Sequence, residues 1–437
     1  MSDRSRTDEG PAPRPGELDL SDPELVVRCG GPPHAYLRRL RREAPVCWHD
    51  APTRPRGILG VTRGYFVISR HADVVHVSRH PRLFSNAQGS HLLGDMAEDD
   101  LAGMRTQLIG MDPPQHVKYR RLVQRGFTPR MVAKLEPRIR ACAREIVDRV
   151  AARGECEFVE DLASELPLTL ICELIGVPHE DRKKIFEWSN QLVGADDPEQ
   201  QGGPDPRVFA AQMWMYSNEL ADRKRAAPDD TLISTYVHSE VDGEKISAVE
   251  INHFFVLLAV AGNETTRNAT SHFLRVLSLH PAERARLLGD LDRLLPGAIE
   301  EALRFSPPVM YFRRTATEDT EIRGMRIRAG DKLYLSYPSA NRDEEVFAEP
   351  DRFDVAREPN DHLAFGIGEH YCLGANLARM QLGCILRELL TRLPDVAPSA
   401  PPSVQHGTLI HGVKRMPVRF TPERGVRSPG DLSPSEG

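Results

Sequence analysis

The sequence predicts an α+β fold, mainly α and built as a single domain, and three observations lead there. Apolar residues recur at helical spacing through most of the span from about residue 130 to 300, and again beyond Leu373. Short apolar runs divided by turns fill residues 57–69, which include Tyr65-Phe66-Val67-Ile68, and the span from Phe312 to Tyr337. The residues that carry chemistry lie between His116 and Arg419 and have to meet at one site, although a chain of 437 residues would by length alone suggest two or three domains.

In chain order, residues 1–20 are polar and rich in Pro, Gly and charge, the composition of a disordered tail with no apolar signal segment. Residues 57–69 predict a strand and Ala72–Ser78 the helix after it. The 86–110 segment matches no pattern that assigns it a role. The helical body is broken by the acidic, Gly- and Pro-bearing stretch Gly194–Pro206. A long helix then starts at Ser247-Ala248-Val249-Glu250, a capping-box pattern, and Ile251, Phe254, Phe255 and Leu258 continue it as an apolar stripe. The helix carrying Glu301 and Arg304 ends before Pro307-Pro308. After the strands, a glycine-rich loop opens an amphipathic helix marked by Leu377, Met380, Ile385, Leu389 and Leu393. The domain is expected over 21–420, with 421–437 a second disordered tail.

Composition narrows the function classes. A net charge of −6 argues against nucleic acid as the main partner, since binding phosphates needs a basic footprint. Seven cysteines without CxxC spacing argue for a reducing compartment and no disulfide framework. The longest strongly apolar run, Phe254 to Ala261, is too short to span a bilayer. A cytoplasmic protein without a membrane anchor is expected. Lys118, Arg120, Arg121 and Arg125 form a local basic cluster, read either as a solvated helix face or as a docking edge for an acidic protein.

The most informative stretch is Phe365-Gly-Ile-Gly-Glu-His-Tyr-Cys372-Leu-Gly374. It sets one cysteine between a glycine-rich loop and a helix start, where the helix dipole and free N–H groups favour a thiolate. Its glycines let backbone approach something flat and bulky. Such a cysteine suits an axial thiolate ligand of haem iron, although a lone cysteine would read better as a core thiol, and it is the whole spelling that reverses this. A second constellation is Ala261-Gly262-Asn263-Glu264-Thr265-Thr266. Gly262 costs about 1 kcal/mol against Ala in a helix, which a ligand needing room would explain. Thr265 can bond the carbonyl one turn back, with Glu264 beside it as a proton relay. Two glycosylation-like triplets, starting at Asn263 and Asn268, fall in this buried-looking helix and are set aside.

Together these motifs resemble the cytochrome P-450 family of haem-thiolate monooxygenases, over about residues 30–420. The resemblance implies a helix-rich triangular prism around a buried haem b, with Cys372 as the metal ligand. It implies that Thr265 governs proton delivery with Glu264 as relay, a threonine that peroxide-driven relatives lack. It assigns His116, Arg120, Arg314 and His370 to the haem propionates, and Gly262, Phe365 and Gly374 to the cofactor's surroundings. Glu301 and Arg304 would be a buried structural pair completed by Arg352, with Arg357 as the competing candidate. Electrons would come from NAD(P)H through a ferredoxin reductase and a ferredoxin to a monomeric enzyme using O₂. The apolar residues Val309, Met310, Leu409 and Ile410 would line the substrate pocket. Further motifs, among them Ala-Gly-Asn-Glu-Thr-Thr-Arg-Asn and Phe-Arg-Arg-Thr-Ala-Thr-Glu-Asp, resemble an actinobacterial clade that hydroxylates sterols, methyl-branched lipids and terpenoids. His411, where that clade often has Asn, is expected to border the cavity. A tailoring hydroxylase of polyketides or other scaffolds is the second reading, and a haem-thiolate sensor without turnover the third.

Overall fold

Tyr65-Phe66-Val67-Ile68 has no polar alternation, which suits a strand covered on both faces, and all four residues are buried. The computed structural model describes residues 13–53, 60–200 and 203–423. In it β1 (Val46–His49) pairs antiparallel with β2 (Tyr65–Ile68), Val46 facing Ile68. β3 (Phe84–Ser85), β4 (Tyr311–Ala316) and β5 (Lys332–Ser336) complete a mixed sheet in the order β1-β2-β5-β4-β3, with β5 parallel to β2. The strand expected over 57–69 is therefore shorter, with residues 57–59 outside the described ones. Gly64, where a Cβ would fall 2.2 Å from the Trp48 ring, marks where pairing begins.

The body of the molecule is helical, so the structure is α+β and mainly α. Helices that concern the site are α1 (His34–Glu43), α2 (His71–Arg79), α3 (Gln115–Val123), α4 (Pro129–Ala151) and α5 (Glu165–Ile175). They are followed by α6 (Arg182–Val193), α7 (Pro206–Ala226), α8 (Ala248–Leu279), α9 (Leu291–Phe305) and α10 (Ala375–Arg392). α8 is capped as its sequence predicts: the Ser247 hydroxyl accepts the Glu250 N–H at 3.3 Å and the Glu250 carboxylate accepts the Ser247 N–H at 2.8 Å. It runs through the main apolar core, and Asn263, Glu264, Arg267 and Asn268 are buried with it. Polar groups in such a position need internal partners, which marks 263–268 as the stretch to inspect. Leu377, Ile385 and Leu389 of α10 pack in the same core as Ile139, Cys142 and Ile146 of α4, so the helix after the cysteine loop is fixed from behind.

Parts of the segments expected as tails, 1–20 and 421–437, are packed against the rest of the chain. Leu20 packs in an apolar cluster with Tyr36 of α1, and the Gly16 N–H donates to the Tyr36 hydroxyl at 2.9 Å. At the other end, Glu423 pairs with Arg392 and the Thr421 N–H reaches Asp395. The remaining tail residues, 1–12 and 424–437, lie outside the described ones. Cys47, Cys142, Cys156, Cys172, Cys372 and Cys384 are free thiols, and no helix among the described residues is long and apolar enough to cross a membrane.

Candidate active site

Two glycines set the cysteine loop. Gly366 (φ 67°) and Gly368 (φ 78°) are both left-handed, a conformation that favours glycine. At Gly368 a Cβ would also lie 2.6 Å from the Ser78 carbonyl, so this glycine lets the loop close on α2. The Cys372 N–H donates to the Phe365 carbonyl at 2.9 Å, closing the turn that delivers the thiol to the start of α10. Burial pushes the thiol pKa up, against the opposing pull of the Gly374 N–H and the charges of Arg120 and Arg379. The helix-end stabilisation read from the sequence is present, but burial outweighs it until a cation binds the sulfur. Phe365 lies under the Arg379 guanidinium, 4.5 Å from its ring centre. Gly374 has an ordinary φ of −88° and nothing among the described residues within 4 Å of a built Cβ, so neither strain nor protein crowding explains it.

Beside the loop the structure gathers His116, Arg120, Arg314 and His370. The His116 and His370 rings lie 4.2 Å apart. Both His116 nitrogens and His370 Nε2 are buried without a hydrogen-bond partner among the described residues. Burial, followed by Arg120 among the neighbouring charges, lowers the His116 pKa to about 4. His370 is held well below the usual range by burial, then by Arg314 and His116. Arg120 Nη2 donates to the Tyr371 carbonyl at 2.7 Å, which ties α3 to the cysteine loop. A cavity of about 310 Å³ is lined by His116, Arg120 and Gly368. The nearby carboxylate, Asp112, is already taken by the N–H groups of Asn86 (2.8 Å) and Ala87 (3.3 Å). Two arginines and two unsatisfied imidazoles next to a thiol fit an anionic, metal-bearing cofactor: donors for carboxylates and a sulfur for the metal.

On α8 the Thr265 hydroxyl donates to the Ala261 carbonyl at 2.8 Å, one turn back as the sequence suggests. The neighbouring glycine has a different cause from the one expected. A Cβ on Gly262 would lie 2.8 Å from Ile171 Cδ1 and Cγ1, so Gly262 admits α5 rather than a ligand. Ala261, exposed and one turn from Thr265, is the small residue on the open face. The i,i+4 rule could have identified it. Glu264 also turns out differently. It is buried and ion-paired with Arg267, whose Nη1 donates to Asn190 of α6 at 2.8 Å. Its second oxygen finds no partner among the described residues, and burial raises its pKa against the pull of Arg267. Arg267 and Asn190 occur in motifs that carry the resemblance, but the sequence alone assigns neither a role as partner of Glu264.

Glu301 and Arg304 form a fully buried fork, with Nε and Nη2 at 2.7 and 2.8 Å from the two carboxylate oxygens. Arg357, not Arg352, completes it: its Nε lies 3.1 and 3.0 Å from those oxygens. Phe353 turns into the core, and Arg352 beside it points outward to Glu349, offering inward only its carbonyl, which Arg304 and Arg357 use. Next along α9, Glu300 holds Arg379 at 2.7 Å, linking this network to Phe365. Val309 and Ile410 meet in an antiparallel bridge, and the Met310 N–H donates to the Leu409 carbonyl at 2.8 Å. Val309, Leu409 and Ile410 are half-buried, whereas Met310 packs in the core cluster of Leu93 and Tyr334. His411, expected at the cavity edge, is buried with its ring 4.0 Å from His272. Of the outer basic residues, Lys118 is paired with Asp242, while Arg121 and Arg125 are exposed.

Known proteins share this framework. The family profile described as Cytochrome P450 matches residues 210–408. A methyl-branched lipid omega-hydroxylase of Mycobacterium tuberculosis is 41% identical over 411 residues, 93% of this chain and 94% of that protein. A steroid C26-monooxygenase of Mycolicibacterium smegmatis is 36% identical over 411 residues, with the same coverage, 93% and 94%. The structure of Mycobacterium marinum cytochrome P450 CYP268A2 in complex with pseudoionone superposes with a TM-score of 0.87 at 37% identity, covering 95% of this chain and all of that one (100%). With identity of this extent laid over a thiol, a cluster of N–H donors suited to carboxylates and a back-bonded threonine, the chain belongs to the cytochrome P450 family and is a haem b monooxygenase.

Proposed function

We propose that this monooxygenase hydroxylates an unactivated C–H bond of a lipophilic substrate of the sterol/steroid or terpenoid class. It takes electrons from NAD(P)H through a ferredoxin reductase and a ferredoxin. The observation that carries the oxygenase part is the Thr265 hydroxyl bonded to the Ala261 carbonyl on the open face of α8. The substrate class is supported by the lipid and steroid named for the two relatives, and by the apolar Val309, Leu409 and Ile410.

Haem ligated by a thiolate supplies an electron-rich iron that favours O–O cleavage. Cys372 is the residue offered to the metal, and Arg120, Arg379 and the Gly374 N–H balance the sulfur's negative charge. His116, Arg120, Arg314 and His370 would hold the propionates, and Phe365 and Gly374 would border the cofactor. Thr265 holds a proton at its Oγ1, and Glu264, paired with Arg267 through one oxygen, has its other oxygen unpartnered among the described residues and available to hold a second proton. Glu301, Arg304 and Arg357 fix the segment that carries the cysteine loop. Arg121 and Arg125 present a positive edge to an acidic ferredoxin, which steers encounter more than it adds affinity. The enzyme is read as a cytoplasmic monomer of one catalytic domain.

The test is the ferric absorption spectrum titrated with a 3-keto sterol, a terpenoid and a macrolactone. A Soret shift towards high spin with the sterol or terpenoid supports the substrate class. A shift with the macrolactone alone replaces it with a tailoring role, and a spectrum unmoved by all three removes the class.

A further inference from the structure

Ser90 is buried and yet left-handed, at φ 68°. A buried residue other than glycine keeps such a conformation only where its surroundings over-determine it. Here the surroundings are Arg313. Gly89 lies against that side chain so closely that a Cβ would stand 2.0 Å from Nη2. The Arg313 backbone N–H donates to the His91 carbonyl at 2.9 Å, and Nη1 reaches the carbonyls of Leu92 at 3.5 Å and Gly94 at 3.4 Å. The backbone from 89 to 94 is thus wrapped around one buried guanidinium.

The wrap has a definite product, the placement of the His91 ring. Side chains alternate along β4, so Phe312 and Arg314 share one face and Arg313 takes the other. The His91 ring meets Phe312 edge-on at 5.7 Å and therefore stands on the face of Arg314. The same face looks towards the cysteine loop: Phe312 also meets Tyr337 at 6.0 Å, and the Tyr337 hydroxyl lies 3.7 Å from where a Cβ on Gly366 would be. His91 is 8% exposed, and its Nδ1 is buried without a partner among the described residues.

We propose that His91 is a fifth residue on the propionate side of the haem, donating an imidazole N–H to a propionate oxygen, with Arg313 as the positioning residue that presents it. This rests on the assignment of Arg314 and His370 to that side. Burial, with the charge of Arg314, lowers the His91 pKa to about 3, so before a carboxylate sits beside it the ring is a neutral N–H donor at pH 7.

The test uses haem-loaded protein and two readouts: the rate of haem transfer to excess apomyoglobin, and the propionate bending band in the resonance Raman spectrum. His91→Phe keeps the contact with Phe312 but removes the donor; it should release haem about tenfold faster and shift the band, as loss of a hydrogen bond to a charged group implies. His91→Asn keeps a donor and should stay near wild type in both, and Arg313→Met should shift the band as His91→Phe does. His91→Leu and His91→Gln give the same contrast if the first variant does not fold. Arg314→Met run in parallel separates the two ways of failing. Fast transfer from Arg314→Met, with His91→Phe at the wild-type rate and its band unmoved, overturns the proposal alone. Wild-type transfer from Arg314→Met overturns the assignment of that side. If His91→Asn behaves like His91→Phe, the ring only packs, and the proposal also fails.

Discussion

Glu301 and Arg357 meet through one N–H shared between both carboxylate oxygens, at 3.1 and 3.0 Å, with Arg304 gripping the same two oxygens from within its own helix. Asn360 and the Asp354 N–H add contacts at 3.2 and 2.9 Å. Removing the carboxylate leaves two buried guanidinium groups without their charge partner, a loss of about 3–5 kcal/mol. Glu301→Ala is therefore expected to yield protein that incorporates no haem, read from the Soret-to-280 nm absorbance ratio. Arg357→Met should lower stability by less, since Arg304 still answers the carboxylate. Arg352→Ala should leave haem content and stability unchanged, because its exposed side chain pairs at the surface with Glu349.

Thr265→Ala deletes the hydroxyl bonded to the Ala261 carbonyl. Product formed per electron consumed should fall about tenfold, the scale of one hydrogen bond lost in a proton-transfer step, with the missing electrons recovered as hydrogen peroxide. Thr265→Ser should restore most of the coupling. Unchanged coupling in Thr265→Ala would count against the oxygenase role of this threonine.

Gly262 and Ile171 can be tested as a pair. Gly262→Ala forces a Cβ to within 2.8 Å of two Ile171 carbons, and overpacking of this kind costs about 1–3 kcal/mol. Ile171→Ala removes both carbons, so the double variant should lose less than the sum of the singles, a coupling that urea denaturation can measure. If Gly262 instead made room for the ligand, Gly262→Ala would alter the absorption spectrum while leaving the denaturation midpoint in place.

Much of this architecture is written locally. The capping box at Ser247 and the back-bond of Thr265 are contacts within a turn or so, which is why pattern alone finds them, whereas the Glu301–Arg304 fork is as local but reads as an ordinary surface pair until the family resemblance marks it as buried. The glycine-rich spelling around Cys372 is equally local, and its left-handed glycines follow from it. What pattern misses depends on which way a side chain points across a tertiary gap. Arg352 and Arg357 are equivalent as letters; only the burial of Phe353 turns the first outward. Gly262 looked like a ligand glycine because nothing in sequence says that α5 crosses there. Glu264 was placed beside Thr265, but a buried carboxylate needs a cation, and Arg267 one turn on supplies it. The clasp of residues 89–94 around Arg313 joins segments more than two hundred residues apart, beyond the reach of any periodicity.

His272 and His411 give the protein an acid limit that does not involve the cofactor site. Their rings lie 4.0 Å apart in the core, tilted by 36°, where burial lowers the His272 pKa to about 3 and holds His411 well below its usual range. Arg275 adds to both shifts, and His34 and Arg342 also bear on His411. Both imidazoles are therefore neutral in the folded state, while in the unfolded chain they take protons below the ordinary histidine pKa of about 6.5. The unfolded state then binds more protons, so stability is intact above about pH 6.5 and falls as pH drops towards the folded pKa near 3. With its folded pKa near 3, His272 contributes a loss of about 2 kcal/mol between pH 6.5 and 5, and His411 a loss of the same sign. His272→Phe should flatten that acid slope by about one histidine's share while costing some stability at pH 7.5, read from urea midpoints at the two pH values. A slope identical to wild type would mean that the pair is not the source of the acid sensitivity.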